Sequence, residues 1–430
     1  MSLEKFNEFT EDKAVPGLRG RSDIVKPYEI LMFSNKLDDA RDVTDGDSNN
    51  ILRDLMFASA KKAGIKIHFV DFNGLHVERK GGKTFIHSYD FGNGEDGLGY
   101  GLVLPNAKGE LEKPKQKPIE INPKNTIILA RGLGTPGMTN IQTWTDMIHE
   151  FEYEGYLTIP TIDCWYKCCS KYLTDILCRR AGLRTPKTIP ISYSDDTSRV
   201  MKEHFNDKFP IILKTSTGSQ TGVGVLIMES MRSLNSTVQM LKLYENTLPV
   251  VLQEYIKTDH DIRVIILDGK VKAVMKREVI QGDDFRSNVS LGAATDEYEL
   301  TDLEREDSIK AAGAVGGRLV GVDFIPAKNR EKEQPYILEV NSMPGFGGIE
   351  KIEKGMTQEI MEYFKNRDNW SFNPLDEGKI QIDSMEVYGD TIIWTKDGIE
   401  HEHEVYNVSK DNNPIIEYNS QEVELIPRLL

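Results

Sequence analysis

The chain has 430 residues, of which 39% are hydrophobic and 28% are charged, and its formal net charge at pH 7 is −15. This length predicts two or three globular domains, and the acidic balance argues against a nucleic-acid partner, whose binding needs an excess of Lys and Arg. No apolar run approaches the roughly 18–20 residues that cross a bilayer, and the first residues lack the apolar core of a signal peptide, so we expect a cytoplasmic protein without a membrane partner.

The first third of the chain predicts a parallel sheet covered by helices. A polar leader over 1–25 precedes an apolar strand over 28–33, an amphipathic helix over 48–63 and a second strand over 65–70. Strand, helix and strand in this order are typical of α/β domains with a parallel sheet. We therefore predict an N-terminal α/β domain over 26–160.

Four cysteines lie close together, at Cys164, Cys168, Cys169 and Cys178. Cys164 and Cys168 are one helical turn apart and could hold a metal. The cluster contains no Cys-x-x-Cys pair and no histidine, which favours buried core thiols over zinc. The surrounding residues predict a single helix over 167–181.

A segment rich in Gly, Ser and Thr joins two predicted strands, 209–215 and 223–228. It begins at Lys214 and continues through Ser216, Thr217, Gly218, Ser219, Gln220 and Gly222. Glycines allow a close backbone approach, and successive N–H groups and hydroxyls can surround phosphate oxygens. The segment is not a Walker A loop, since it lacks the Gly-Lys-Ser/Thr ending and joins strand to strand. A flexible surface turn is the alternative.

The next predicted strand, 249–256, ends in a segment that could contact a flat base through its backbone. This segment consists of Gln253, Glu254, Tyr255 and Ile256, and a strand that simply meets its loop explains it equally well. A predicted hairpin follows around Asp268-Gly269, with Asp261 at the start of its first strand.

A basic loop comes after the hairpin in this otherwise acidic chain. It contains Arg286, Ser287 and Asn288, and Lys276 and Arg277 precede it. Arginine makes bidentate contacts with phosphate or carboxylate, so the loop could bind an anion. A solvated basic loop is the alternative.

Two apolar strands after a predicted helix over 301–319 carry residues that suit a divalent metal. Asp323 lies in one strand, and Glu339 and Asn341 lie two positions apart in the other, so these two side chains leave the same face. Carboxylate and amide oxygens are hard ligands suited to Mg²⁺. By itself the second strand could be a polar strand end before the turn at Pro344-Gly345. Together the two strands predict a metal site that is open to phosphate oxygens.

In this order the elements resemble the ATP-grasp superfamily, and within it the RimK branch. RimK-like enzymes ligate glutamate or related amino acids to a protein or peptide terminus. The resemblance is dense over 160–365 and only topological over 25–160. The segments that carry it are Lys214-Thr-Ser-Thr-Gly-Ser-Gln, Gln253-Glu-Tyr-Ile-Lys, Asp261-Ile-Arg, Asp284-Phe-Arg-Ser-Asn and Pro344-Gly-Phe-Gly-Gly-Ile-Glu350.

The resemblance implies an α/β (α+β) ATP-grasp fold. The N-terminal α/β domain would be followed by a central subdomain over 161–246 and a C-terminal subdomain over 247–370. Residues 371–430 lie beyond the resemblance and predict a small, acidic β appendage, since 376–430 hold 13 Asp and Glu against 4 Lys and Arg. Its acidity fits either a solvated surface or a docking surface for a basic partner.

The resemblance also implies roles for the candidate residues. Lys171 and Lys214 would hold the α- and β-phosphates of ATP, and the Gly-rich segment would close over them. Gln253, Glu254, Tyr255 and Ile256 would meet adenine, and Asp261 would contact the nucleotide. Arg286, Ser287 and Asn288 would reach the phosphate and acyl end, with Arg286, Asn288 and Lys214 as catalytic groups. Asp323, Glu339 and Asn341 would bind two Mg²⁺ or Mn²⁺ ions, bridged by Glu339.

The function implied is ATP-dependent carboxylate–amine ligation through an acyl phosphate. The expected partners are ATP, a peptide or protein acceptor, and an amino acid, for which glutamate is the first candidate. The resemblance also suggests a homo-oligomer. One alternative is an ATP-grasp ligase for small molecules such as dipeptides. Another is a non-catalytic ATP-binding module.

Overall fold

The computed structural model of this chain consists of several sheets, most of them covered by helices. It describes residues 28–34, 48–72, 75–89, 116–133, 141–192, 195–216, 224–243, 250–278, 295–346, 350, 352–370, 379–382, 384–396, 399–408, 413–418 and 421–427. The helices in these ranges are α1 (Ser48–Ala63), α2 (Ile141–Tyr153), α3 (Ile162–Cys169), α4 (Lys171–Arg180), α5 (Thr197–Phe205), α6 (Met231–Leu243), α7 (Asp302–Val315) and α8 (Met356–Tyr363). No helix within the described ranges is long and apolar enough to cross a membrane.

The N-terminal sheet is parallel, as the sequence predicts. Its strands are β1 (Glu29–Ser34), β2 (Lys66–Asp71), β6 (Thr126–Ala130) and β7 (Leu157–Ile159), in the order β2-β1-β6-β7. Helix α1 and the two first strands match their predicted bounds to within one residue. Phe33 and Ile128 pack against Ile148 and Phe151 of α2 on one face of the sheet. Burial on both faces explains why these strands read as continuous apolar runs.

A three-stranded antiparallel sheet lies beside the parallel one. It consists of β3 (His76–Lys80), β4 (Lys83–Tyr89) and β5 (Gln116–Ile121). Ile86 of β4 is fully buried in the same core as Phe33. This sheet extends the N-terminal core and was not evident from the sequence.

The second large sheet presents the Gly-rich segment. Its strands, all antiparallel, are β8 (Thr188–Ile191), β9 (Ile211–Thr215), β10 (Val225–Met228) and β11 (Val250–Glu254), in the order β10-β9-β11-β8. Met201 and Phe205 of α5 and Leu234 and Val238 of α6 form its core. The Gly-rich segment joins β9 to β10, which are neighbours in the sheet.

The third sheet carries the candidate metal residues. Its strands are β12 (His260–Leu267), β13 (Lys270–Glu278), β14 (Thr295–Asp296), β15 (Leu319–Ile325) and β16 (Tyr336–Asn341), in the order β14-β13-β12-β15-β16. Val264 and Val322 point towards Ala311 of α7. On the opposite face Ile265 and Met275 pack in the same core as the N-terminal sheet. Because side chains alternate along a strand, Asp261 and Arg263 lie on the face of Ile265.

The helix predicted over 167–181 is two helices, α3 and α4, broken at Ser170. Ser170 has an extended backbone (φ −100°, ψ 106°), and its hydroxyl accepts from the N–H of Leu173, capping α4. The N–H of Lys171 donates to the carbonyl of Ser216 at 2.9 Å instead of continuing a helix. The periodicity of the sequence misses this break because apolar residues continue across it. The break places Lys171 beside the beginning of the Gly-rich segment.

Helix α7 is also shorter than the predicted 301–319. Thr301 and Glu304 form a capping box at its start, with each side chain bonded to the other's backbone N–H. Gly316 ends it in a left-handed conformation (φ +76°), which glycine adopts without strain. The following residues are therefore available to begin β15 at Leu319.

The C-terminal appendage is a six-stranded sheet with its own core, which confirms the predicted β structure. The strands are β17 (Lys379–Ile382), β18 (Ser384–Tyr388), β19 (Thr391–Lys396), β20 (Ile399–Val408), β21 (Pro414–Tyr418) and β22 (Gln421–Pro427), in the order β17-β22-β21-β20-β19-β18. Ile392, Trp394, Ile416 and Leu425 are fully buried between them.

A buried ion pair fixes the hairpin between β12 and β13. Arg318 donates from Nε to Oδ1 of Asp268 at 2.8 Å and from Nη2 to Oδ2 at 2.5 Å, and its Nη1 donates to the carbonyl of Trp370 at 3.0 Å. Both side chains are buried. Arg318 thereby connects the turn of the hairpin to the segment after α8.

Replacing Arg318 with methionine should destabilise the fold strongly. The substitution leaves the carboxylate of Asp268 buried without a counter-charge, which typically costs about 3–5 kcal/mol. Urea unfolding would measure the loss. The matched control is Arg199→Met, since Arg199 pairs with Glu203 at 4.0 Å on the exposed face of α5, and such pairs contribute about 0–1 kcal/mol. Equal losses in the two variants would contradict the assignment.

Candidate functional site

A row of charged side chains crosses three strands of the third sheet. Arg263 of β12 lies opposite Asp323 of β15, and Asp323 lies opposite Glu339 of β16. Arg263 donates from Nε to Oδ1 of Asp323 at 2.7 Å and from Nη2 to Oδ2 at 2.6 Å. This fork geometry orients the carboxylate of Asp323 in the plane of the guanidinium.

A second arginine joins the row from β13. Arg277 donates to both carboxylate oxygens of Asp261, at 2.6 and 2.9 Å, and its Nη2 lies 3.0 Å from Oδ2 of Asp323. Asp261, Arg277 and Asp323 are all buried. Two arginines and two aspartates therefore form one buried network, which we call the Arg–Asp network: Asp261, Arg263, Arg277 and Asp323.

The network keeps Asp323 ionised. Burial raises the pKa of Asp323, but the charges of Arg263 and Arg277 lower it by more, so the pKa lies well below its usual range. Burial lowers the pKa of Arg277, but the carboxylates of Asp323 and Asp261 raise it by more, so the pKa of Arg277 lies above its usual value. Each charge is stabilised by its opposite, as a buried charge must be.

Glu339 and Asn341 lie at the accessible edge of this network. Nδ2 of Asn341 donates to Oε1 of Glu339 at 3.0 Å and lies 3.4 Å from Oδ2 of Asp323. The side chain of Glu339 is 38% exposed, whereas that of Asp323 is 3% exposed. The structure thus brings together the three side chains that the sequence singles out as metal ligands, with Glu339 far more open than Asp323.

The donor set suits a divalent ion that arrives with additional oxygen ligands. Carboxylate and amide oxygens are what Mg²⁺ prefers, so the three residues fit that ion. The two arginines neutralise two of the three carboxylates present, Asp261, Asp323 and Glu339, which leaves one net negative charge. Among the described residues no group of three His, Cys, Asp or Glu side chains is arranged to hold a metal by itself. An ion here would need further oxygens, such as those of phosphate.

Two lysines approach the same place from the neighbouring elements. Burial lowers the pKa of Lys214 to about 8, while Glu339 raises it and Lys171 lowers it further. Lys214 is therefore close enough to both Glu339 and Lys171 for their charges to act on it. Lys171 starts α4, and Lys214 lies at the end of β9, so the break at Ser170 and the strand end bring the two lysines together.

The ends of the Gly-rich segment close as a tight hairpin. The N–H of Thr215 donates to the carbonyl of Gly224 at 3.0 Å. Gly224 has φ +84°, and a Cβ there would lie 2.7 Å from Oγ1 of Thr215. Of the predicted phosphate-binding residues, Ser216 is buried at the end of β9, and Thr217, Gly218, Ser219, Gln220 and Gly222 lie outside the described residues.

The predicted adenine-contacting segment is anchored by its first two residues. Gln253 is buried, and its Nε2 donates to Oγ1 of Thr188 at 2.9 Å. The N–H of Glu254 donates to the carbonyl of Lys187 at 2.9 Å. Tyr255 and Ile256 follow the end of β11 and are half-buried. Gln253 therefore acts inside the sheet, and a contact with a ligand would have to come from the residues after it.

The structure bears on one of two further sequence predictions. Asp261, predicted to contact a nucleotide, has both oxygens bonded to Arg277. Arg286, Ser287 and Asn288 lie outside the described residues. Sequence reasoning missed Arg263 as a site residue, although its place two positions after Asp261 signals that it shares the face of that carboxylate.

Comparison with known proteins identifies the family of this arrangement. The RimK-like ATP-grasp domain matches residues 169–364. A probable alpha-L-glutamate ligase of Coxiella burnetii (strain RSA 493 / Nine Mile phase I) is 35% identical over 225 residues, which cover 51% of this chain and 71% of the relative.

Solved structures share the fold at low sequence identity. A RiPP-associated ATP-grasp ligase of Chryseobacterium gregarium, in complex with ADP and with a leader and core peptide, has a TM-score of 0.54 at 13% identity, covering 79% of this chain and 97% of its own. The ATP-grasp ligase PsnB, in complex with a phosphomimetic variant of its minimal precursor, Mg and ADP, has a TM-score of 0.52 at 15% identity, covering 78% and 98%. Both likenesses show the ATP-grasp fold.

Replacing Gly224 with alanine should destabilise the protein more than the same change at Gly269. Both glycines have positive φ, but a Cβ at Gly269 meets nothing within 4 Å. The backbone strain, about 1–2 kcal/mol, is common to both variants, and the clash with Thr215 adds about 1–3 kcal/mol at Gly224. Urea unfolding would measure the difference.

A second substitution tests the cause of that difference. Thr215→Ala removes the atoms that the new Cβ would meet, so it should restore part of the stability lost in Gly224→Ala. If Gly224→Ala and Gly269→Ala cost the same, the close contact with Thr215 is not what requires glycine there.

Proposed function

We propose that this chain, which belongs to the RimK-like ATP-grasp family, uses ATP to join a carboxylate of a peptide or protein acceptor to the amine of an amino acid. Glutamate is the first candidate for the amino acid, since the Coxiella relative is named a probable alpha-L-glutamate ligase. The observation that carries the proposal is that Lys214 lies close to Glu339, beside the Arg–Asp network, while Lys171 is held at the end of β9 by its bond to Ser216.

The charge balance of this place suits a polyphosphate. The Arg–Asp network with Glu339 carries one net negative charge, and the two lysines turn the balance to one positive charge. Lys171 and Lys214 would contact the phosphates of ATP, and the Gly-rich segment would cover them with backbone N–H groups. Tyr255 and Ile256 would border the adenine at the end of β11.

Asp323, Glu339 and Asn341 would hold Mg²⁺ together with the phosphates. PsnB, which shares the fold, was solved with Mg and ADP. When bound, the ion offsets the charge that develops on the transferring phosphoryl group. Glu339 is more exposed than Asp323 and would bridge two ions. Arg263 and Arg277 keep Asp323 ionised and oriented for this task. Asp261, which the sequence analysis expected to contact the nucleotide, would instead balance the charge of Arg277.

The reaction would proceed in two displacements. A carboxylate oxygen of the acceptor attacks the γ-phosphorus, and the bond to the leaving oxygen of ADP breaks, giving an acyl phosphate. The amine nitrogen of the amino acid then attacks the acyl carbon, phosphate leaves, and the amine proton passes to solvent or base. Lys214 stabilises the phosphoryl oxygens, and Arg286 and Asn288 are proposed to stabilise the acyl phosphate and the oxyanion that follows.

Replacing Glu339 with alanine should reduce amino-acid-dependent ADP formation by at least about a hundredfold, because a metal-binding carboxylate is lost. The variant should fold, since the side chain is partly exposed. The matched control is Glu333→Gln, which removes an exposed charge from the loop before β16 and should keep activity near the wild-type value. Full turnover in Glu339→Ala would refute the metal assignment.

Nucleotide binding should weaken as pH rises above 8. Burial lowers the pKa of Lys214 to about 8, and bound phosphates would raise it, so binding requires proton uptake above that pH. The affinity for Mg·ADP should be constant below pH 8 and then fall by up to about tenfold per pH unit.

The variant Lys214→Arg provides the comparison, because arginine stays protonated over this range. Calorimetric titration between pH 7 and 9.5 should show a flat profile for the variant and a falling one for the wild type. Parallel profiles in the two proteins would show that Lys214 does not titrate on nucleotide binding.

The identity of the acceptor can be tested directly. The protein would be incubated with ATP, Mg²⁺, pooled amino acids and host lysate, and peptides with a mass shift of one or more residues would be sought. Products formed only among the free amino acids would instead favour a small-molecule ligase.

A further inference from the structure

Arg131 reaches the candidate site from the N-terminal sheet. It directly follows β6, and its Nη2 donates to the carbonyls of Met343 at 3.3 Å and Pro344 at 2.9 Å. These carbonyls belong to the turn immediately after Asn341. A guanidinium from an element 213 residues away in the chain therefore lies against the turn of the metal-binding strand.

The charge of Arg131 is not balanced by any carboxylate in the described part of the chain. Its side-chain partners there are two neutral carbonyl oxygens and the ring of Phe346, 5.4 Å from Cζ. Burial lowers the pKa of Arg131 to about 10. Arg263, Arg277 and Arg318, by contrast, each bind an aspartate through two hydrogen bonds.

This imbalance indicates a place for an anion. A guanidinium has five N–H donors, and among the described contacts of Arg131 only Nη2 is used. Arg131 is half-buried, and a partly buried charge without a counter-charge is unfavourable, so a carboxylate at Nε and Nη1 would stabilise the site. The planar fork matches the two oxygens of a carboxylate.

Pro344 links this charge to the Arg–Asp network. The Cβ of Pro344 lies 3.1 Å from where a Cβ on Gly321 would be, and Nε of Arg263 lies 3.8 Å from the same point. Met343 packs in the core of the N-terminal sheet. Pro344 thus binds Arg131 through its carbonyl, while its ring lies near Arg263.

We propose that Arg131 binds the α-carboxylate of the amino acid whose amine is ligated. This inference rests on the proposed function, in which one carboxylate is phosphorylated beside Glu339 and a second, on the incoming amino acid, remains unreacted. The second carboxylate needs a counter-charge that is close to the first but separate from it. Arg131 meets both conditions, since it binds the turn directly after Asn341 and is not paired with the aspartates of the Arg–Asp network.

The test compares glutamate with two ligands in which one of its carboxylates is replaced by an amide, the side-chain carboxylate in glutamine and the α-carboxylate in the α-amide. Binding of L-glutamate, L-glutamine and the α-amide of glutamate would be measured by calorimetry in the presence of Mg·ADP. The wild type should bind glutamate and glutamine at least about tenfold more tightly than the α-amide, because only the first two can form a charge-assisted hydrogen bond between the α-carboxylate and Arg131. In Arg131→Gln the first two affinities should fall to that of the α-amide, whose own affinity should not change. Arg131→Lys should retain part of the preference.

Several outcomes would overturn the proposal. If Arg131 only anchors the turn, Arg131→Gln weakens all three ligands equally. If the wild type binds none of the three ligands, or shows no preference for those with an α-carboxylate, Arg131 does not form a carboxylate-binding site.

ADP formation by the wild type, assayed in parallel, separates this proposal from the proposed function. Amino-acid-dependent ADP formation together with an unchanged preference in Arg131→Gln refutes the role of Arg131 alone. A preference that depends on Arg131, without amino-acid-dependent ADP formation even when host lysate supplies the acceptor, refutes the ligase and retains the carboxylate site.

Discussion

The neutralisation of buried charge on the third sheet is the constraint on which the rest of the site depends. Asp323 lies in a strand whose residues are all buried, where an ionised carboxylate is unfavourable unless it is paired. Arg263 and Arg277 supply the pairing, and Asp261 offsets the charge that the second arginine adds. The network requires β12, β13 and β15 to keep their mutual register, since each hydrogen bond joins two strands. A chemical requirement for an ionised aspartate thus becomes a structural requirement on three strands.

This arrangement divides the work among the acidic residues. Asp323 is enclosed and held in one orientation, whereas Glu339 is open and contacts Asn341. The enclosed residue gives the site its geometry, and the open residue can change partners as a ligand enters. Lys171 and Lys214 add positive charge from the other elements, so the site as a whole favours a polyanion with its counter-ion over a bare metal ion.

The candidate site could be read from the sequence where it depends on residue type and short-range spacing. Glu339 and Asn341 share a face because they are two residues apart in a strand. The Gly-rich segment lies between β9 and β10 because its composition breaks both strands. The sequence did not predict the break at Ser170, because apolar residues run through it. A hydrogen bond from Lys171 to Ser216, 45 residues further along the chain, stabilises that break.

Residue types and local spacing by themselves determined that Glu339 and Asn341 share one face of a strand, and the resemblance of the motifs to the RimK branch predicted the ATP-grasp fold. The tertiary structure decided which arginines lie beside the acidic residues of the site. In a regular hairpin with its turn at Asp268-Gly269, Lys276 would lie opposite Asp261. A bulge between Ile265 and Ile266 shifts the pairing of β12 and β13 by one residue, so Arg277 lies opposite Asp261 instead. Arg131 reaches Pro344 only because the N-terminal sheet packs against the third sheet. Local periodicity encodes the face of a strand, whereas bulges and contacts between distant elements decide which charges meet.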